Sequence, residues 1–161
     1  MPQWTEIQLL DGLRLRMVAS DCGLRAIDFH STYAVDDAVR NDANPLLKET
    51  TRQLRAYFDG RLRTFDVPLD MQGTAFQKRV WSELEKIPYG ETRSYLQVAI
   101  ASGTPNAVRA VGAANGANPI PIIVPCHRVI GSSGKLTGYG GGLPLKKRLL
   151  ELEGALAMTL L

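Results

Sequence analysis

The chain changes character across Pro68 through Gly73, from short runs broken by turns to mainly helical spacing, and that change points to two differently built halves. Before it, short apolar runs are separated by turn residues. Trp4 to Leu9 leads into Asp11-Gly12, a hairpin signal. Leu13 to Val18 alternates in part, and Asp21-Cys22-Gly23 turns the chain into Leu24 to Phe29. Asn44-Pro45 then reads as an N-cap with proline at the first helical position. The helix it opens carries Leu47, Leu54, Tyr57 and Phe58 and stops at Asp59-Gly60. Thr64 to Val67 is read as one more strand, and Pro68 through Gly73 as a linker. The expected domains are residues 1–70 and 71–161.

After the linker the apolar residues take helical spacing. Thr74 and Gln77 form a capping box that opens a helix with Phe76, Val80, Trp81, Leu84 and Ile87 on one face. Pro88-Tyr89-Gly90 ends it. Ser94 and Gln97 repeat the box for a short helix to Ala101, closed by Ser102-Gly103. Thr104-Pro105 is expected to start the next helix, through Val108 and Val111 to Gly116. Two short helices joined by a tight turn containing glycine make a helix-turn-helix pattern. Next comes Ile120-Pro121-Ile122-Ile123-Val124-Pro125, apolar, β-branched and bounded by prolines, which predicts a buried, extended segment. A glycine-rich loop, Gly131 to Gly134 and Gly138 to Gly142, precedes a last helix from near Pro144 through Leu145, Leu149 and Leu152 to Gly154.

Charge follows the same division. Residues 1–70 hold 9 Lys/Arg against 11 Asp/Glu, and residues 71–161 hold 10 against 5. The second half is therefore the basic one, which suits a polyanionic partner. No apolar run approaches the roughly 20 residues that span a bilayer. The N-terminus lacks the basic segment and apolar core of a signal peptide. A cytoplasmic location without membrane contact is expected.

Cysteine and histidine are scarce: Cys22 and Cys126, His30 and His127. Cys126 and His127 are adjacent. A thiol becomes a good nucleophile as thiolate, and a neighbouring histidine or cation promotes that form. Neighbours in an extended chain point to opposite sides, so the pair meets only if the backbone turns there or a water intervenes. Taken alone, a Cys-His dipeptide is ordinarily packing. A structural zinc site needs four such ligands and would consume every Cys and His in the chain.

The surroundings of Cys126 decide between these readings. Asn118-Pro119-Ile-Pro-Ile-Ile-Val-Pro125-Cys126-His127-Arg128-Val129-Ile130-Gly131 resembles the active-site segment of the O6-alkylguanine-DNA alkyltransferases. The resemblance extends to Gly90 to Tyr95, Ala107 to Gly112, Thr137 to Leu143 and Leu149 to Gly154, covering residues 74–154 in order. Residues 1–70 resemble the family only in general pattern. The fold implied is α+β: a small N-terminal α/β domain, ribonuclease H-like, and a mainly helical, winged-helix-like C-terminal domain with the helix-turn-helix.

The resemblance also implies roles. Cys126 would take an alkyl group from guanine O6 by in-line displacement and be consumed, one turnover per molecule. His127 would remove the thiol proton through a water, with Glu153 orienting it. Asn118 would brace the turn, and Tyr95 would donate to guanine N3. The carbonyls of Cys126 and Val129, the amide of Gly140, Tyr139 and Lys146 would complete the base pocket, Lys146 on the Tyr95 side. Some relatives carry serine at the Gly140 position. The partner implied is double-stranded DNA with alkylated bases, thymine O4 included, held through its minor groove by a monomer. Ser94, Ala107, Arg109, Ala110 and Asn115 would face it, with Arg109 filling the gap left by the flipped base.

No cofactor is implied. Some relatives hold an N-terminal zinc, but Cys22 and His30 are too few to ligate one. A lesion sensor lacking the cysteine, a Cys-His thiol hydrolase and a transcriptional regulator are the competing classes. The Cys126, His127 and Glu153 set argues against the first, and no regulatory domain supports the last.

Overall fold

The computed structural model describes residues 1–9, 12–29 and 38–156. The chain divides into two compact units, Met1–Gln72 and Gly73–Leu161.

In the first unit, strands β1 (Gln3–Gln8), β2 (Arg14–Ala19), β3 (Leu24–Asp28) and β4 (Val39–Arg40) form one sheet in the order β3-β2-β1-β4. The β1–β2 and β2–β3 pairs are antiparallel, and β4 joins β1 in parallel. Helix α1 (Pro45–Phe58) begins at Asn44, whose side chain accepts from the Leu47 amide. Leu47, Leu54 and Tyr57 lie on one helical face and are fully buried, as are Leu15 and Met17 of β2. Asp11 of the expected hairpin turn, and His30, lie outside the described residues.

Two expectations fail between α1 and the second unit. Thr64 to Val67 is not a strand. The Gln53 side chain occupies its backbone instead, donating to the Asp66 carbonyl at 2.9 Å and accepting from the Asp66 amide at 2.8 Å. Nor is Pro68 to Asp70 a free linker. Leu24 donates to the Pro68 carbonyl and accepts from the Asp70 amide, each at 2.8 Å, so Leu69 is stitched to β3. Gly23 makes this possible, since a Cβ there would lie 2.7 Å from the Pro68 oxygen.

The second unit opens with α2 (Ala75–Glu85) behind the expected Thr74/Gln77 capping box, with Val80, Trp81, Leu84 and the following Ile87 buried. Strand β5 (Arg93–Ser94) leads into α3 (Tyr95–Ala101), again behind the expected box, and α4 is Val108–Gly116. The three helices pack pairwise, and the Trp81 indole donates to the Ala114 carbonyl at 2.8 Å, fixing α2 to α4. Helix α4 starts later than expected. Thr104 is spent closing α3, its amide bonding the Ala99 carbonyl, and a turn to Ala107 follows.

The segment before Cys126 is buried as expected but not extended. Residues 120–124 form successive turns, with the Val124 amide bonded to the Ile120 carbonyl. Ile122 has φ 74°, the one positive value outside glycine among the described residues. A left-handed β-branched residue costs about 1–2 kcal/mol, and fully burying an isoleucine side chain offsets it with about 1.5–3 kcal/mol. Cys126–Arg128 is a single 3-10 turn, strand β6 (Val129–Ile130) follows, and α5 (Leu143–Leu152) ends the described fold. The parallel β5–β6 pair, with Arg93 opposite Val129, sets Tyr95 just beyond the strand that follows Cys126.

Candidate active site

Asn118 closes the loop that presents Cys126. Its amide nitrogen donates to the Val124 carbonyl at 2.8 Å and its oxygen accepts from the Ile120 amide at 3.0 Å. Pro125 then takes φ −83° and ψ 65°, an inverse γ-turn closed by the Cys126 amide on the Val124 carbonyl. The 3-10 turn after it supplies the bend that an extended chain would have denied to Cys126 and His127.

Cys126 is 6% exposed. Burial pushes its thiol up to about 11, against the smaller opposing pull of the Asn118 amide and the Lys146 charge. The resting cysteine is therefore a thiol, in keeping with the expectation that His127 removes its proton.

His127 is fully buried, with Nε2 2.8 Å from Glu153 Oε2. Burial lowers its pKa most; Glu153 raises it, and Arg128 and Lys146 lower it. A neutral imidazole that donates from Nε2 carries its lone pair on Nδ1. Nδ1 is buried and has no hydrogen-bond partner among the described residues. It is the base that the site leaves uncommitted.

Glu153 caps the C-terminus of α5, where a negative charge opposes the helix dipole. Arg128 compensates. Its Nε and Nη2 reach the two carboxylate oxygens at 2.8 and 3.0 Å, and its Nη1 donates to the Ile87 carbonyl at 2.7 Å. Gly90, at φ 84°, lets the chain pass this corner; a Cβ there would lie 3.1 Å from the Glu153 carbonyl oxygen. No role for Arg128 followed from the sequence. The available signal was a cation two residues past Cys126 in an apolar run, which is buried only when paired.

Lys146 is also fully buried, and its ammonium donates to the Val129 carbonyl at 2.7 Å and the Thr137 carbonyl at 2.9 Å. The Thr137 hydroxyl is hydrogen-bonded to the Tyr95 hydroxyl at 2.9 Å. Lys146 thus touches the Tyr95 side through Thr137, a residue the sequence reading did not single out. Burial raises the pKa of the Tyr139 phenol well above its ordinary value, so it stays protonated. A Cβ on Gly140 would meet nothing within 4 Å, which leaves room for serine there.

The expected DNA-facing residues divide. Arg109 and Ala110 are exposed on α4, with Ala107 at its N-cap and half-buried. Ser94 is half-buried, and its hydroxyl oxygen accepts from the Gln97 amide. Asn115 does not belong with them. It is 4% exposed and turned inward, donating to the Cys126 carbonyl at 3.4 Å, because its place on α4 faces the packed side of the helix. Cys22 sits exposed in the turn after β2. Among the described residues no group of three or more metal-ligating side chains forms.

A buried Cys126 whose neighbour His127 is bonded to Glu153, in the same unit as a helix-turn-helix, defines the class of protein. Residues 75–155 match the family model for the 6-O-methylguanine DNA methyltransferase, DNA binding domain, and residues 14–71 match that for its ribonuclease-like domain. A methylated-DNA–protein-cysteine methyltransferase of Mycobacterium tuberculosis is 68% identical over 101 residues, 63% of this chain and 61% of that protein. One from Methanosarcina acetivorans is 58% identical over 120 residues, 74% of this chain and 76% of that protein. The crystal structure of Mycobacterium tuberculosis OGT in complex with DNA superposes with a TM-score of 0.89 at 48% identity, covering 95% of this chain and 93% of that one. The chain belongs to the 6-O-methylguanine DNA methyltransferase family, and the α+β fold with a ribonuclease-like first part is the one expected.

Proposed function

We propose that this protein repairs DNA by direct reversal, moving an alkyl group from guanine O6, and from thymine O4, onto Cys126. The observation that carries the reading is the His127–Glu153 bond, which leaves Nδ1 as the uncommitted base on the residue next in sequence to the buried Cys126. The thiol proton passes to Nδ1 through a water as sulfur attacks the alkyl carbon. The S–C bond forms, the C–O6 bond breaks, and its electron pair stays on the purine. Tyr95 supplies a proton at N3, so guanine leaves neutral, and exchange with solvent returns His127 and Tyr95 to their resting forms.

The Cys126 and Val129 carbonyls and the Gly140 amide read the flipped base, with Tyr139 and Lys146 shaping the pocket. Asn118 holds the nucleophile's loop. Ser94, Ala107, Arg109 and Ala110 meet the minor groove, with Arg109 filling the stack. The protein acts as a monomer, in the cytoplasm, where thiols stay reduced. A thioether has no route back to thiol here, so each molecule acts once.

Incubation with duplex DNA containing O6-methylguanine should replace one hydrogen by a methyl group on the peptide bearing Cys126, in stoichiometric amount. Cys126→Ala should form no adduct and restore no guanine. Repair by that variant, or an unmodified Cys126 after repair, would overturn the reading.

A further inference from the structure

Thr137 lies in the loop before α5, held at both its backbone and its side chain. Its carbonyl accepts from the fully buried Lys146 ammonium at 2.9 Å, and its hydroxyl is hydrogen-bonded to the Tyr95 hydroxyl at 2.9 Å. Lys146 is itself fixed by a second bond, to the Val129 carbonyl in the strand that follows Cys126. Thr137 is therefore placed relative to the strand that follows Cys126, not merely relative to its own loop.

The direction of the side-chain bond matters. A phenolic hydroxyl has one hydrogen, which prefers the ring plane and so has two favoured directions. A donor on one side of the Tyr95 oxygen takes a lone pair there and leaves the hydrogen to the other side. We propose that Thr137 is a positioning residue for the alkyl transfer. By donating to Tyr95 it turns the phenolic hydrogen away from the loop and toward the departing base, while Lys146 fixes Thr137 through its carbonyl. The inference rests on the proposed alkyl transfer and on Tyr95 as the donor to the leaving base.

Thr137→Val keeps shape and the backbone carbonyl for Lys146 but removes the donor; Thr137→Ser keeps the donor. Single-turnover transfer from O6-methylguanine DNA is measured at saturating DNA, with DNA affinity measured separately. Thr137→Val should slow the saturated rate about tenfold, the scale of one lost hydrogen bond made in the transition state, with affinity unchanged within about twofold. Thr137→Ser should restore the rate. In a Tyr95→Phe background Thr137→Val should cost nothing further, whereas a merely structural role would cost the same in both backgrounds. Thr137→Ala provides the same comparison should the valine variant fold poorly. An unslowed Thr137→Val, or a serine variant as slow as valine, overturns the positioning role while wild-type transfer stands. Absence of transfer by the wild type overturns the underlying reading instead.

Discussion

His127 stays uncharged at neutral pH because burial outweighs the carboxylate beside it. Glu153 alone would hold a proton on the ring, but Arg128 already occupies both of its oxygens. Breaking a buried pair of this kind by removing one partner costs about 3–5 kcal/mol, so Arg128 secures the fold as well as the charge balance of the base. The depressed pKa has a sign that can be measured. Unfolding returns His127 to its ordinary value of 6.5, so below that pH the unfolded chain binds a proton that the folded one refuses. The stability His127 contributes is complete above 6.5 and is lost as pH falls toward its lower folded value. Urea unfolding between pH 7.5 and 5.5, both taken as roughly the working window, should show stability falling by up to about 1.4 kcal/mol per pH unit from this proton. His127→Gln should flatten that slope; an unchanged slope would mean that the ring is charged in the folded state. The His127–Glu153 contact was legible because the motif that carries it is. Arg128 was not, since its partners, Glu153 and the Ile87 carbonyl, lie 25 and 41 residues away.

The starts of α1, α2 and α3, unlike that of α4, were legible in sequence, because a side-chain cap is a contact between residues three apart. Thr74 with Gln77, Ser94 with Gln97 and Asn44 with Leu47 all form as expected. Ser94 has a structural task that its expected place at the DNA does not require. It opens α3, whose first residue is Tyr95, so its cap aims the phenol's helix. Ser94→Ala should cost about 1 kcal/mol of stability by urea unfolding, while Ser94→Asp, which keeps the cap acceptor, should cost little. Equal losses from both would show that the cap contributes nothing. The loop from Asn118 to Pro125 was legible only as buried. A proline-bounded β-branched run favours extension locally. Here it folds back because the Asn118 side chain and the burial of Ile120, Ile122 and Val124 oppose that preference. Thr64 to Val67 misled too: the run reads as a strand, but the Gln53 amide supplied the backbone partners.

The basic excess of the chain and the buried thiol belong to the same 73–161 unit, yet they meet different demands. On the proposed reading, exposed cations meet a polyanion and the pocket meets a single base. Arg109 separates the two, because it is exposed on α4 whereas Cys126, His127 and Glu153 are buried. A base in a duplex must leave its stack before Cys126 can reach it, and extrusion costs a few kcal/mol unless something fills the gap. A free methylated guanine base carries no such cost. Arg109→Ala should therefore slow transfer from duplex DNA by about tenfold or more and leave the slow reaction with free O6-methylguanine within about twofold of wild type. Single-turnover measurements of S-methylation on Cys126, run with both substrates at matched salt, decide the matter. A fall confined to the duplex assigns Arg109 to extrusion. An equal fall with the free base would place it instead in the support of the pocket, and the helix-turn-helix would then serve to hold the nucleophile more than to open the DNA.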